Sequence, residues 1–137
     1  EHERLVSLAG DLGVEDKIAF LGEVPEEELP LFYNTADVLA LPSIYEGFGF
    51  PALEAMACGT PVVASNRTSV PEVVGDGGIL IDPTKPEEWA EQISRVLSDT
   101  ALAQGLKERA IKRAAQFTWE KTAEETLEVY RRINSEQ

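Results

Sequence analysis

Short apolar runs alternate with longer amphipathic stretches along the chain. Four runs read as buried strands, over 18–21, 38–41, 61–64 and 78–81. Apolar residues at helical spacing lie between these runs and predict helices over 3–12, 25–35, 51–58 and 70–74. Strands that alternate with helices are typical of βαβ units around a parallel sheet. The pattern therefore predicts an α/β, Rossmann-like fold.

The last third of the chain reads as helical. The capping-box spacing of Thr84 and Glu87 predicts the start of a helix that carries Trp89, Ile93 and Val96 on one face. Two amphipathic helices, over 101–116 and 119–133, are predicted to follow. Because no linker, repeat or low-complexity segment interrupts the 137 residues, we predict that residues 1–137 form one compact unit.

Composition and charge exclude several classes of protein. Twelve basic and 25 acidic residues give a net charge of −13, and this field repels nucleic acid. Cys58 and His2 are the only residues of their types, which are too few for a usual zinc site. No apolar run is long enough to span a membrane. We expect no metal, no nucleic-acid partner and no transmembrane segment, and a lone thiol suits the reducing cytoplasm.

The stretch 42–61 links the end of a predicted strand to the start of a helix, where ligands bind in open α/β sheets. Gly47 and Gly49 allow the backbone to approach a ligand closely. A helix beginning near Pro51 presents unpaired amides and the positive end of its dipole, which suits the binding of a diphosphate. Proline has no amide hydrogen, so the predicted donors are the amides of Gly49, Phe50, Ala52 and Leu53.

Two carboxylates flank this predicted anion site. Glu46 lies in the loop, and Glu54 lies three residues past Pro51 with a side chain that leans back toward the helix start. A carboxylate can accept two hydrogen bonds from neighbouring sugar hydroxyls. Each acid alone could simply stabilise the helix dipole. Together with the glycines and the helix start, the two acids favour a site for a nucleoside-diphosphate sugar.

These residues also carry a resemblance to a known family. The motifs are EGFGFP at 46–51, Glu54 separated from Glu46 by seven residues, FLG at 20–22, ADV at 36–38, PS at 42–43, GTPVV at 59–63, VPEVV at 70–74 and FTWE at 117–120. With them the chain resembles the C-terminal, donor-binding domain of the retaining GT-B glycosyltransferases related to glycogen and sucrose synthases, the glycosyl transferases group 1.

The resemblance implies a role for each residue of the site. Glu46 would be the catalytic residue and bind hydroxyls of the transferred sugar, while Glu54 would bind the ribose. Glu23 and Val24 would contact the base. Transfer would need no metal or cofactor, and the donor's configuration would be retained. The amides implied for the sugar are those of Phe48, Gly49 and Phe50, and those implied for the diphosphate are those of Gly49, Phe50, Ala52 and Leu53.

The resemblance also implies parts that this sequence lacks. In the family, two further βα units precede this region and carry an Arg and a Lys that neutralise the diphosphate, and an N-terminal domain binds the acceptor. Without them we expect the chain alone to bind donor weakly and to transfer little sugar. Loss of those two strands separates the 18–21 strand from the 38–41 strand. A swapped homodimer or a partner chain is therefore expected to complete the sheet.

Three other interpretations are open at this point. A catalytically inactive donor-binding or oligomerisation fragment fits the incomplete sheet. A hydrolase using Glu46 and Glu54 as an acid–base pair is disfavoured, because a helix start lowers the pKa of both acids when one should be raised. A dinucleotide-binding dehydrogenase is disfavoured because Gly47 and Gly49 are followed by Ala52 where a third glycine is required.

Overall fold

The computed structural model describes residues 2–135 and contains a parallel sheet of three strands. The strands are β1 (Leu39–Leu41), β2 (Val62–Ser65) and β3 (Ile79–Ile81), in the order β1-β2-β3. Leu39 pairs with Val62, and Val63 pairs with Ile79. The α/β class with a parallel sheet flanked by helices, predicted from the alternation of apolar runs, is confirmed.

Helices cover both faces of this sheet. They are α1 (His2–Asp11), α2 (Leu29–Thr35), α3 (Phe50–Ala57), α4 (Val70–Val74), α5 (Pro86–Ser98), α6 (Thr100–Ala114) and α7 (Trp119–Ser135), with 3₁₀ turns at Glu15–Lys17 and Gly75–Gly77. Within residues 2–135, no helix combines the length and the apolar character needed to cross a bilayer.

The central strand β2 separates two halves of the core. Val62 and Ala64 face a cluster with Met56 of α3 and Val70 of α4. Val63, which points to the opposite face, packs in a second cluster whose members include Ile81, Trp89, Val96 and Leu106. All four residues of β2 are buried, as expected for a parallel strand with helices on both sides.

The segment 18–21 is not a strand, so the prediction of four strands is wrong. Its apolar side chains are exposed; Leu21 has 58% of its surface accessible. A strand forms only where a neighbouring strand accepts and donates its backbone hydrogen bonds, and 18–21 has no such neighbour within residues 2–135. The sheet instead begins at β1, its edge strand.

The capping box predicted at Thr84 is also wrong. Helix α5 begins at Pro86 and its N-cap residue is Lys85. The Thr84 hydroxyl donates a hydrogen bond of 2.7 Å to Asp82 Oδ1. Since the helix starts later than that spacing requires, the Thr84 side chain binds Asp82 in the turn after β3 and does not cap the helix.

Candidate functional site

The loop that leaves the carboxyl end of β1 carries Glu46 and leads into α3. Gly49 is the N-cap of α3 and adopts a φ of +106°, a left-handed conformation that favours glycine. A Cβ at Gly49 would lie 3.7 Å from Val70 Cγ2, an ordinary van der Waals contact, so the positive φ and not a lack of space favours glycine. Helix α3 begins at Phe50, one residue before Pro51. Gly49 directly precedes it, and its left-handed conformation allows the chain to turn tightly into the helix.

The start of α3 offers fewer free amides than the sequence predicted. The amides of Ala52 and Leu53 both donate to the carbonyl of Gly49, over 3.1 and 3.2 Å. Because Leu53 is the fourth residue of the helix, its amide closes the first helical turn. Their prediction as free donors is therefore corrected. The amides of Gly49 and Phe50 have no acceptor within residues 2–135.

Hydrogen bonds hold Glu46 at three points. The Ser43 hydroxyl donates to Glu46 Oε1 over 2.7 Å. The Glu46 amide donates to Thr68 Oγ1 over 3.1 Å, and the Ser69 hydroxyl donates to the Glu46 carbonyl over 3.0 Å. The second carboxylate oxygen, Oε2, has no hydrogen-bond partner in the described part of the chain.

Glu54 faces a cavity between α2 and α3. The Tyr33 hydroxyl donates to Glu54 Oε2 over 2.9 Å, and Oε1 has no partner in the described part of the chain. Burial, this hydrogen bond and the negative charge of Glu54 raise the pKa of Tyr33 to about 12. The cavity has a volume of about 440 Å³ and is lined by Glu26, Leu29, Pro30, Tyr33, Glu54, Ala57 and Cys58.

The two acids are held by different neighbours of α3. Helix α3 contacts both α2, which holds Glu54, and α4, whose N-terminal side holds Glu46. The aromatic rings of Phe48 and Phe50 lie 4.7 Å apart near the helix start, and both are exposed. Both rings lie beside the first turn of α3 and outside the buried core.

The residues predicted to contact the base lie in the loop before α2. Glu23 is exposed and Val24 is half-buried. Neither lines the cavity beside Glu54, although Glu26 from the following turn does. The contact of Glu23 and Val24 with a base stays a prediction.

Four polar residues of the site were missed by the sequence analysis. Tyr33, Thr68 and Ser69 are more than 20 residues away from the acids that they hold, and no local pattern marks them. Ser43 precedes Glu46 by three residues, so its spacing was the one available signal.

A family model connects this arrangement to known proteins. The model for glycosyl transferases group 1 matches residues 1–113. An O-antigen chain mannosyltransferase B from Escherichia coli is 45% identical over 83% of the chain, and a D-inositol 3-phosphate glycosyltransferase from Salinispora arenicola is 44% identical over 92%. The chain spans only 30% and 29% of the length of these two relatives.

Solved structures share the fold. A sucrose-phosphate synthase from Thermosynechococcus elongatus superposes with a TM-score of 0.87 and 34% identity, covering 98% of this chain and 35% of that protein. HepE from Anabaena, solved in complex with UDP-glucose, gives a TM-score of 0.77 and 32% identity over 83% of this chain and 32% of that one. The resemblance to GT-B glycosyltransferases is confirmed, and the chain belongs to the glycosyl transferases group 1 family.

Proposed function

We propose that this chain is the donor half of a metal-independent, retaining glycosyltransferase and binds a nucleoside-diphosphate sugar at the start of α3. One observation carries the proposal. Gly49 and Phe50, whose amides have no acceptor within residues 2–135, stand along the chain between Glu46 and Glu54, and each of these acids keeps one carboxylate oxygen unpaired there. A nucleoside-diphosphate sugar has a matching order of groups: a sugar ring for each acid and a diphosphate for the two amides.

The free amides bind the diphosphate in this proposal. They act together with the positive end of α3, because the net charge of −13 opposes any anion and only local donors can offset it. When the bond between the sugar and the diphosphate breaks, the leaving oxygen takes the bonding electron pair. The same amides then stabilise the developing negative charge. Ala52 and Leu53 contribute through the dipole, since their amides already have an acceptor.

The two acids bind the sugar rings at the two ends. Glu54 accepts the ribose hydroxyls through Oε1, while Tyr33 keeps Oε2 fixed. Glu46, whose Oε1 is held by Ser43, accepts hydroxyls of the transferred sugar through Oε2 and is the proposed catalytic residue. The amide of Phe48 is proposed to donate to the same sugar. Glu23 and Val24 border the base. The bound UDP-glucose in HepE, which shares the fold, supports this class of ligand.

The acceptor site is proposed to lie outside this chain. The chain spans about a third of the solved relatives, and it exposes apolar side chains such as Leu8, Leu21 and Trp119. An N-terminal domain, a partner chain or a second copy in a swapped dimer would cover such side chains. Light scattering distinguishes a swapped dimer from a monomer. We expect weak donor binding and little transfer by the chain alone. The proposed setting is the cytoplasm, where the thiol of Cys58 stays reduced.

Calorimetric titration with two matched pairs of nucleotides tests the proposal: UDP against UDP-glucose, and GDP against GDP-mannose. Glu54→Gln is expected to lower the affinity for both nucleotides of a pair equally, by roughly 10-fold or more, because it removes hydrogen bonds to a charged group. Glu46→Gln is expected to reduce only the advantage of the sugar nucleotide over the nucleoside diphosphate.

The control variant is Glu91→Gln, which removes the same charge from an exposed position on α5. It should leave all four affinities unchanged within about twofold, as expected for an exposed charge far from the ligand. Absence of saturable binding by the wild-type chain would overturn the proposal. Binding without turnover by the wild-type chain joined to its acceptor-binding partner would favour an inactive donor-binding protein instead.

A further inference from the structure

We propose that Thr68 and Ser69 are positioning residues that hold Glu46 for its contact with the transferred sugar. This inference rests on the proposed function and assigns a role to the loop between β2 and α4, residues 66–69. Neither residue needs to touch the ligand. Their effect is to fix the backbone from which the Glu46 carboxylate extends.

The two adjacent side chains bind the two ends of one residue. Thr68 Oγ1 accepts the hydrogen bond of the Glu46 amide at 3.1 Å, and Ser69 Oγ donates to the Glu46 carbonyl at 3.0 Å. The loop around Glu46 is otherwise exposed, with 75% of Ile44 and 79% of Tyr45 accessible. Since these exposed residues have little packing to order them, the two hydrogen bonds to Thr68 and Ser69 restrict the position of the Glu46 backbone.

The backbone of Thr68 is strained. Its φ is +52°, the one positive φ at a non-glycine residue among residues 2–135. A β-branched side chain disfavours this left-handed conformation, which glycine adopts freely. Strain of this kind persists where surrounding contacts hold it, and it occurs often at functional sites. Glycine would suit the turn better but has no hydroxyl to accept the Glu46 amide.

Ser69 uses its hydroxyl away from its own helix. It occupies the N-cap position of α4, where a serine oxygen commonly accepts a backbone amide of the first turn. Here the side chain makes no cap hydrogen bond, and its hydroxyl donates to Glu46 instead. The hydroxyls of Thr68 and Ser69 thus both serve the loop that carries Glu46.

The loop 66–69 is itself anchored to the sheet. The Asn66 amide donates to the carbonyl of Ile81 in β3 over 2.9 Å, and the Arg67 amide donates to Ser65 Oγ over 3.2 Å. The Arg67 guanidinium also pairs with Asp82 at 2.8 Å. The loop 66–69 therefore links the backbone of Glu46 to β2 and β3, the rigid part of the fold.

Thr68→Gly tests the inference, because it removes the hydroxyl and relieves the strained φ at the same time. For each variant, the readout is the affinity for the sugar nucleotide divided by the affinity for its nucleoside diphosphate. This ratio is measured for UDP-glucose and UDP, and for GDP-mannose and GDP. We expect this ratio to fall about fivefold in Thr68→Gly, a change typical of one lost hydrogen bond, with the nucleoside diphosphate affinity unchanged. Thr68→Ser restores the hydroxyl and is expected to restore the ratio.

A merely structural role would give a different result, since a damaged fold lowers the affinity for both members of a pair and leaves the ratio unchanged. Hydrogen exchange of the Glu46 amide is a second readout and should be faster in Thr68→Gly than in Thr68→Ser. Ser69→Ala should lower the ratio as well. An unchanged ratio in Thr68→Gly and Ser69→Ala, with nucleotide binding intact, would overturn this inference alone. If the wild-type chain binds neither pair, the proposed function fails first.

Discussion

The Tyr33 hydroxyl donates a hydrogen bond of 2.9 Å to Glu54 Oε2 and so joins α2 to the middle of α3. The carbonyl of the same tyrosine accepts a hydrogen bond of 2.6 Å from Thr60 Oγ1, in the connection between α3 and β2. Tyr33 is therefore fixed at its backbone and at the end of its side chain. Such a residue can hold the Glu54 carboxylate in one orientation before any ligand arrives.

We predict that Tyr33→Phe weakens the binding of nucleoside diphosphates about three- to tenfold and lowers the free energy of unfolding by about 1 kcal/mol, the usual contribution of one hydrogen bond. The phenylalanine ring preserves the packing between α2 and α3, so both effects report on the hydroxyl. Calorimetry with UDP and GDP, together with urea unfolding, measures them. Tyr130→Phe on the exposed face of α7 is the control and should change neither. Unaltered nucleotide affinity in Tyr33→Phe would remove Tyr33 from the site.

The raised pKa of Tyr33 predicts a loss of stability at high pH. Its value of about 12, against the usual 10, means that folding favours the protonated phenol. The stabilisation is fully present below pH 10 and is lost as the pH rises from 10 through 12. The difference in unfolding free energy between wild type and Tyr33→Phe should therefore shrink over that range. Absorbance difference spectra of the two proteins at 295 nm isolate the Tyr33 titration, and a midpoint near 10 would contradict the prediction.

The sequence predicted the central strands because their apolar runs match a buried environment. Residues 62–65 form β2 within one position of the predicted run, and 79–81 form β3. Residues 18–21 show the same apolar pattern without forming a strand. An apolar run indicates that a segment is suited to burial, but pairing also depends on a second strand at the right place. That second requirement is a property of the whole sheet and cannot be read from the run.

The candidate site could be located from local spacing, but its internal contacts could not. The acids 46 and 54, the glycines and the helix start lie within a few residues of one another, so their proximity follows from chain connectivity. The partners of the acids lie on α2 and before α4, 21 and 22 residues away. The prediction that the amide of Leu53 is a free donor was wrong for a local reason. The helix begins at Phe50 and not at Pro51, so the Leu53 amide already makes a helical hydrogen bond.

Arg113 binds the carbonyls at the end of α4, and we predict that this contact is important for stability. Its Nε donates to the Val73 carbonyl over 3.1 Å, Nη2 donates to the Glu72 carbonyl, and the guanidinium lies 5.0 Å from the centre of the Phe117 ring. Lysine lacks the planar fork that reaches two carbonyls at once. Arg113→Lys should lower the free energy of unfolding by about 2 kcal/mol, because hydrogen bonds from a charged donor are lost.

Urea unfolding of Arg113→Lys measures this loss. Arg132→Lys is the matched control, since Arg132 lies on the exposed face of α7 and pairs there with Glu128 at 3.6 Å. The control should remain within about 0.5 kcal/mol of wild type, as exposed ion pairs contribute little. Equal stability of the two variants would show that α4 does not depend on Arg113.

A pair of glycines allows one substitution to be tested in opposite environments. At Gly78, before β3, a Cβ would lie 2.7 Å from Val74 Cγ1 and 2.8 Å from the carbonyl oxygen of Val62. The Val62 oxygen belongs to the backbone of the central strand and cannot move without disturbing the sheet. At Gly10, in α1, a Cβ would meet nothing within 4 Å.

We therefore predict that Gly78→Ala destabilises the fold by about 2–3 kcal/mol, the range for overpacking a close contact. Gly10→Ala should stabilise it by about 0.5–1 kcal/mol, because alanine loses less backbone entropy in a helix. The free energy of unfolding in urea gives both values, and the two variants differ from wild type by the same methyl group. Similar effects at the two positions would mean that Val62 and Val74 can move to accommodate a methyl group at Gly78. That result would contradict the close packing of α4 on β2.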